Sequence, residues 1–315
     1  MITLIRSAVA SPSSLGLLKF LQNLDVRIVG ADITNLAIGQ FYCDAFYLVP
    51  QAAAGESVIK RYCDIADVEQ AQWLVSGPEN EVCLLANHRD VFLQHGLQVF
   101  HSPVSTLEII TDKRKMAVHF RAVDIPVPRT VVVEQTDQLD GDKVVFKPRQ
   151  GRGSVGVKIV KKEEWQTTAL TLNTADYIAQ EYLPGKEYTV DILCDMRGNL
   201  LNTVSRERLM TDSGVSVVGR TVRLKQLLEL TARITDNLPF YGGNCLQFIL
   251  GRDDQYYLTD INPRFGGGAI LSIKASRSFQ KNLCHLLQGR NDLLVKGCTD
   301  FDTLTMYRGY EEVYR

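Results

Sequence analysis

No apolar run in this chain approaches the ~20 residues that a bilayer requires, and neither sign of charge is in surplus. Lys and Arg total 35 against 36 Asp and Glu, a net of −1. The first absence speaks against a membrane-spanning segment. The second speaks against nucleic acid or an anionic membrane as the main partner, while leaving room for a locally basic cleft. Paired cysteines are lacking too. Seven cysteines, at 43, 63, 83, 194, 245, 284 and 298, are odd in number and contain no Cys-x-x-Cys. Neither a disulfide framework nor a zinc site is therefore expected, and a reducing cytoplasm fits best. Met1 to Arg6 reads as a first strand and lacks the basic, apolar and small-residue sections of a signal peptide. The turn after it, Ser7-Ala8-Val9-Ala10-Ser11, lacks Gly-x-Gly-x-x-Gly, which argues against a dinucleotide site. Repeats and low-complexity segments are absent. His88, His95, His101 and His119 read as surface or packing residues rather than as catalysts.

What is present is enough for two or three domains: 315 residues, 45% hydrophobic. Strands expected at 2–5, 26–30, 46–49, 73–76 and 98–100 alternate with helices at 14–23, 56–70 and 82–95, which implies a parallel sheet covered on both faces. A helix opens at Thr111-Asp112-Lys113 and runs to about 122. Ile125-Pro126-Val127-Pro128 follows as an extended linker, because each proline biases its predecessor away from helix. Beyond it the spacing predicts a hairpin of 144–147 with 157–160, a helix over 163–172 and a strand over 177–182. Antiparallel neighbours are expected at 187–194 and 200–205. A helix over 222–236, a second hairpin of 245–250 with 255–261 and a mostly helical remainder complete the reading. Cys83, Cys194 and Cys245 fall in apolar runs and read as core.

Two stretches carry chemistry. Tyr257-Leu258-Thr259-Asp260-Ile261-Asn262-Pro263-Arg264 ends an apolar strand on a carboxylate, an amide and a guanidinium. Residues two apart on a strand share a face, so Asp260 and Asn262 point at a common centre. Oxygen ligands beside an arginine suit a hard cation that carries phosphate. A hundred residues earlier, Phe146-Lys147-Pro148 leads into Gly151-Arg152-Gly153-Ser154-Val155-Gly156, a turn whose bare N–H groups can wrap phosphate oxygens. Taken singly, a glycine-rich loop is more often a tight hairpin, and Asn-Pro is a common turn starter. Their co-occurrence in one order is the stronger signal.

That order is Lys113 at a helix start, Lys147 before the glycine loop, Gln180-Glu181-Tyr182-Leu183-Pro184-Gly185-Lys186-Glu187, Gln247, then Asp260-x-Asn262-Pro263-Arg264. It resembles the ATP-grasp superfamily, and within it single-copy proteins akin to one half of the carbamoyl-phosphate synthase large chain and to biotin carboxylase-like ligases. The resemblance covers nearly the whole chain. It implies an α/β ATP-grasp fold in three parts: a doubly wound leading domain over 1–108, a small lid over 109–182 and a catalytic sheet domain over 183–315. It implies that Lys113 and Lys147 neutralise ATP phosphates, that Gly153 and Ser154 belong to a flap, that Glu181 and Leu183 hold adenine, and that Glu187 bonds the ribose. Gln247, Asp260 and Asn262 would be magnesium ligands, with manganese as a substitute, and Arg264 and Arg208 would stabilise the transferred phosphoryl group. Arg206 is a further candidate for phosphate or carboxylate. Relatives commonly carry Glu where this chain has Asp260, which puts binding of two metals in doubt. Gly266-Gly267-Gly268 would let backbone approach a substrate. Glu79 and Glu81 face the expected cleft or simply favour a helix N-terminus. The implied activity joins a small-molecule carboxylate to an amine through an acyl phosphate. The alternatives are a small-molecule kinase, a bicarbonate- or carbamate-activating enzyme and a non-catalytic ATP-binding regulator. A homodimer is compatible with the resemblance.

Overall fold

The computed structural model describes residues 1–315 except 152–154, 213, 310 and 315, and only the backbone at 12, 13 and 215. Strand alternation organises the first unit. β1 (Ile2–Ser7), β2 (Val26–Asp32), β3 (Ala45–Leu48), β4 (Trp73–Val75) and β5 (Gln98–Val99) form a parallel sheet in the order β3-β2-β1-β4-β5. Leu4, Ile28 and Trp73 turn to one face and pack with Leu17, Leu18 and Phe20 of α1 (Pro12–Leu21). Ile5, Val29 and Leu74 turn to the other and meet α2 (Glu56–Glu69) and α3 (Glu79–Asn87). The helix expected over 82–95 is two helices, α3 and α4 (Arg89–Gln94), broken at His88, whose N–H closes onto Leu85 and whose Nδ1 lies 2.9 Å from the Leu84 carbonyl.

α5 (Val104–Ile110) and α6 (Lys113–Ala122) follow. Asp112 caps α6, accepting the N–H groups of Arg114 and Lys115 at 2.9 and 3.1 Å. Met116, Ala117 and Phe120 lie three and four apart on one face and are buried against Tyr188, Val190 and Phe248. The helix expected to open the lid therefore shares the core of the unit beneath it. The lid itself is a four-stranded antiparallel sheet, β6 (Thr130–Val132), β7 (Lys143–Pro148), β8 (Lys158–Lys161) and β9 (Tyr177–Glu181), ordered β6-β9-β7-β8. Val133, Val144, Phe146 and Trp165 make its own small core. Its helix, α7 (Trp165–Leu170), is shorter than the 163–172 expected.

The third unit is a six-stranded antiparallel sheet of β10 (Glu187–Cys194), β11 (Leu200–Asp212), β12 (Val215–Thr221), β13 (Gly242–Leu250), β14 (Tyr256–Asn262) and β15 (Thr305–Tyr307), ordered β14-β13-β10-β11-β12-β15. α8 (Lys225–Asn237) covers the face that α5 and α6 also cover, and α9 (Ala269–Ala275) and α10 (Arg277–Leu287) cover the other. Three expectations change here. The helix expected from 222 starts at Lys225, because the Val222 N–H is spent on the Ser205 carbonyl of the sheet. β12 had no counterpart in the sequence reading. The remainder expected to be mostly helical stops being so after Leu287 and returns as β15 on the sheet edge. Among the described residues no helix is long and apolar enough to cross a membrane.

Candidate active site

A cleft of about 850 Å³ lies where the three units meet. The C-terminal ends of β1 and β4 form one wall, the lid strands β7 and β9 another, and the polar face of β10, β11, β13 and β14 the floor. Alternation makes that floor: Tyr188, Val190 and Ile192 turn into the core, leaving Glu187, Thr189 and Asp191 on the opposite face.

Lys113, the first residue of α6, reaches over the cleft. Its Nζ donates to the Gly151 carbonyl at 3.1 Å and stands 3.7 Å from Asp260 Oδ1. The Asp112–Arg149 ion pair at 2.5 Å and the bond from Lys113 N–H to the Arg149 carbonyl tie that helix end to the lid. Lys147, near the end of β7, is buried and donates to the Thr259 carbonyl at 3.4 Å. Burial lowers its amine to about 8, with Asp260 opposing the shift and Lys113 adding to it. Two cations thus share one carboxylate across the lid junction, an arrangement with spare positive charge.

Gln247 and Asp260 are register partners on β13 and β14, brought opposite each other by a register shift between Gln247 and Phe248, without which Thr259 would face Gln247. Asp260 and Asn262 both line the cleft, and Asn262 Oδ1 accepts from Arg264 Nη2 at 3.3 Å. Among the described residues no three His, Cys, Asp or Glu side chains gather into a metal cluster. One carboxylate with two amide oxygens fits a magnesium ion that brings phosphate oxygens as its remaining ligands.

The far end of the cleft is lined by Glu181, Leu183 and Glu187. Glu181 Oε1 accepts the Arg129 N–H at 2.7 Å, which fixes the chain leaving β9 against the linker. Glu187 pairs with Arg208 at 2.8 Å, and Arg208 also donates to the Gly214 carbonyl at 3.0 Å. Arg208, expected beside the transferred phosphoryl group, lines the cleft and pairs there with the carboxylate expected to bind ribose. Gly153 and Ser154 lie outside the described residues.

Other expectations resolve differently. Glu81 does not line the cleft; it is buried in the first unit, where Ser7 and Ser76 each donate to it at 2.7 Å and the Tyr62 hydroxyl donates as well. Glu79 stands in the first turn of α3, the alternative that helix electrostatics offered. The glycines at 266, 267 and 268 line the cleft, and those at 266 and 268 also serve packing. A Cβ on Gly268 would stand 2.3 Å from Arg206 Nη1, and one on Gly266 2.8 Å from Cys245 Sγ. Arg206 itself is buried and bonded twice to Asp191, at 2.7 and 3.3 Å, with Ser272 donating to the same carboxylate at 2.6 Å. Burial alone would lower its pKa, but Asp191 outweighs that and raises it. Arg6, at the end of β1, went unremarked in the sequence although it lines the cleft. Its signal was an arginine closing the apolar run Ile2-Thr3-Leu4-Ile5 on the first parallel strand.

Comparison with known proteins now bears on this geometry. A family profile described as "ATP-grasp domain" matches residues 110–268. The carbamoyl phosphate synthase large chain of Thermoplasma acidophilum is 25% identical over 208 residues, 59% of this chain and 20% of that one. The chain therefore spans about one fifth of the length of that curated relative. Among solved structures, N5-carboxyaminoimidazole synthetase from Staphylococcus aureus complexed with ADP superposes with a TM-score of 0.74 at 12% identity, covering 96% of this chain and 80% of that one. The biotin carboxylase domain of Hydrogenobacter thermophilus 2-oxoglutarate carboxylase, in complex with MgADP, ADP and bicarbonate, gives 0.73 at 14% identity, covering 95% and 72%. These structural likenesses show an ATP-grasp, biotin carboxylase-like α/β fold.

Proposed function

Since the chain belongs to the ATP-grasp domain family, we propose that it is an ATP- and magnesium-dependent ligase that activates a small-molecule carboxylate as an acyl phosphate and passes it to an amine. The observation carrying this reading is the convergence of Lys113, Lys147, Asp260, Asn262 and Arg264, from three separate segments, on one cleft. The two structural neighbours, one complexed with ADP and the other with MgADP, are consistent with it.

In this reading Lys113 and Lys147 meet the α- and β-phosphates, whose charge needs fixed cations in a partly desolvated site. A bound phosphate relieves the mutual repulsion of the two amines that Asp260 alone leaves unbalanced. Gln247, Asp260 and Asn262 hold magnesium, which supplies neutralisation of the phosphate oxygens. Arg264, fixed by Asn262 and by the Phe265 carbonyl at 3.2 Å, faces the transferred group. An acceptor carboxylate oxygen attacks the γ-phosphorus as the bond to ADP breaks. The amine then attacks the carbonyl carbon, phosphate leaves with the bonding electrons, and the amine proton passes to solvent or phosphate. Positioning and charge do the work, in keeping with a cleft whose one cysteine, Cys245, is buried with its thiol pushed up to about 12. Glu181 and Leu183 receive adenine, and Glu187, oriented by Arg208, receives ribose. Seven unpaired cysteines fit a reducing cytoplasm.

The test is incubation with ATP, magnesium and pooled carboxylates and amines, read by mass spectrometry. ADP, free phosphate and an amide support the ligase. ADP with a phosphorylated acceptor would replace it by a kinase, and nucleotide binding without ADP by a regulator.

A further inference from the structure

Two arginines are buried at the inner end of the cleft, and their surroundings differ in kind. Arg206 has the bidentate Asp191 carboxylate. Arg6 is 4% exposed and forms no ion pair among the described residues. Its Nη1 donates to the Val75 carbonyl and its Nη2 to Ser14 Oγ, both at 3.0 Å, and its Nε has no partner. The carboxylate that acts on it electrostatically, Glu81, already accepts from three hydroxyls. A second guanidinium, Arg264, lies close enough to add to the lowering, to about 10, that burial imposes on Arg6, with Glu81 opposing. A buried cation without a paired anion is costly, and a ligand carrying the anion removes that cost.

Its place in the sheet is the second argument. In the order β3-β2-β1-β4-β5 the chain turns one way after β1 and the other way before β4. Ligands of open parallel sheets bind outside the C-terminal ends of the strands at such a switch point. Arg6 closes β1 and bonds the last carbonyl of β4. Ala8 and Gly77, from the two loops that leave these strands, line the same cleft.

We propose that the end of β1 is an anion-anchoring subsite, in which Arg6 receives an oxyanion group of the acceptor additional to the carboxylate that is activated. It rests on the ligase reading above. The acceptor class is then a molecule with at least two anionic groups, a dicarboxylate or a carboxylate bearing a phosphate.

Calorimetric titration of the full chain loaded with MgADP tests it. Glutarate and phosphonoacetate probe the two oxyanion sources, acetate is the single-anion control, and fluorescent mant-ADP monitors the nucleotide site. At least one doubly anionic probe is expected to bind ten-fold or more tighter than acetate. Arg6→Gln is expected to abolish that advantage with mant-ADP affinity retained, and the tighter of the two probes identifies the oxyanion. Should Arg6→Gln fail to fold, Arg6→Lys decides: it keeps the charge, loses the planar fork and is expected to weaken the doubly anionic probe several-fold. Equal affinity for all three probes, or an advantage unchanged in the Arg6 variants, overturns the subsite. Failure of the unmodified chain to bind mant-ADP would instead overturn the ligase reading.

Discussion

Where Phe279 and Leu283 of α10 meet Leu18 and Phe20 of α1, the core of the first unit and that of the six-stranded unit are one apolar body. Leu193, Leu201 and Val204 of the sheet belong to the same body. Where the lid meets that sheet the contacts are polar: Lys147 to the Thr259 carbonyl, Arg149 to Asp112, Lys113 to the Gly151 carbonyl. The lid keeps a separate core around Phe146 and Trp165. A shared apolar core resists separation, whereas a polar junction over a small independent core opens at lower free energy. The two neighbours of the catalytic sheet thus have different duties. On the proposed ligase reading, one would fix the acceptor wall and the other would move over the nucleotide.

Truncation of the shared core breaks the comparison most directly. Phe279→Ala is expected to cost about 3–5 kcal/mol and to lower one calorimetric transition in which first and third units melt together. Two separated transitions would refute the common core. Lys147→Ala is expected to cut ADP release by about 10²–10³-fold, near the value of one preorganised electrostatic contact, with the main melting transition unmoved. A melting point lowered as far as that of Phe279→Ala would mean the lid is not independent. Gly268→Ala drives a methyl into Arg206 and should cost about 1–3 kcal/mol through overpacking, while mant-ADP binding persists in a fluorescence titration.

The smallest effect is in pH. Lys147 titrates at about 8 when folded, against 10.5 for a free lysine. Below 8 both states are protonated, and the folded state carries the full cost of the buried charge. Between 8 and 10.5 the unfolded chain holds more protons, so stability rises with pH across that window. Nucleotide affinity should move the opposite way, falling as the amine loses its charge above 8. Denaturant melts and mant-ADP titrations at pH 7 and 9 check both signs, and parallel changes would contradict the assignment.

Local patterning made much of this legible. The hairpin put Gln247 and Asp260 on adjacent strands without coordinates, but the register shift that sets them opposite each other was not readable from the sequence. The start of a helix at Thr111-Asp112-Lys113 was readable too, and Asp112 caps it. What escaped depends on distant partners. Arg6 acquires meaning only when Ser14 and the β4 carbonyl are folded beside it. Gly268 lines the cleft as a ligand-facing glycine would, but its second role, making room for Arg206, shows only in the folded chain. β15 is three residues long and has a partner only because β12 leaves an edge for it.

One notch joins two elements behind the buried arginines of the cleft. Gly16, in α1, lacks the Cβ that would stand 3.0 Å from Ile270 Cγ2, and Ile270 follows Gly268 by two residues. Two residues before Gly16, Ser14 holds the guanidinium of Arg6. The turn over Arg206 and the helix that steadies Arg6 therefore meet in a toothed contact, whose closeness depends on the absence of a single methyl group at position 16.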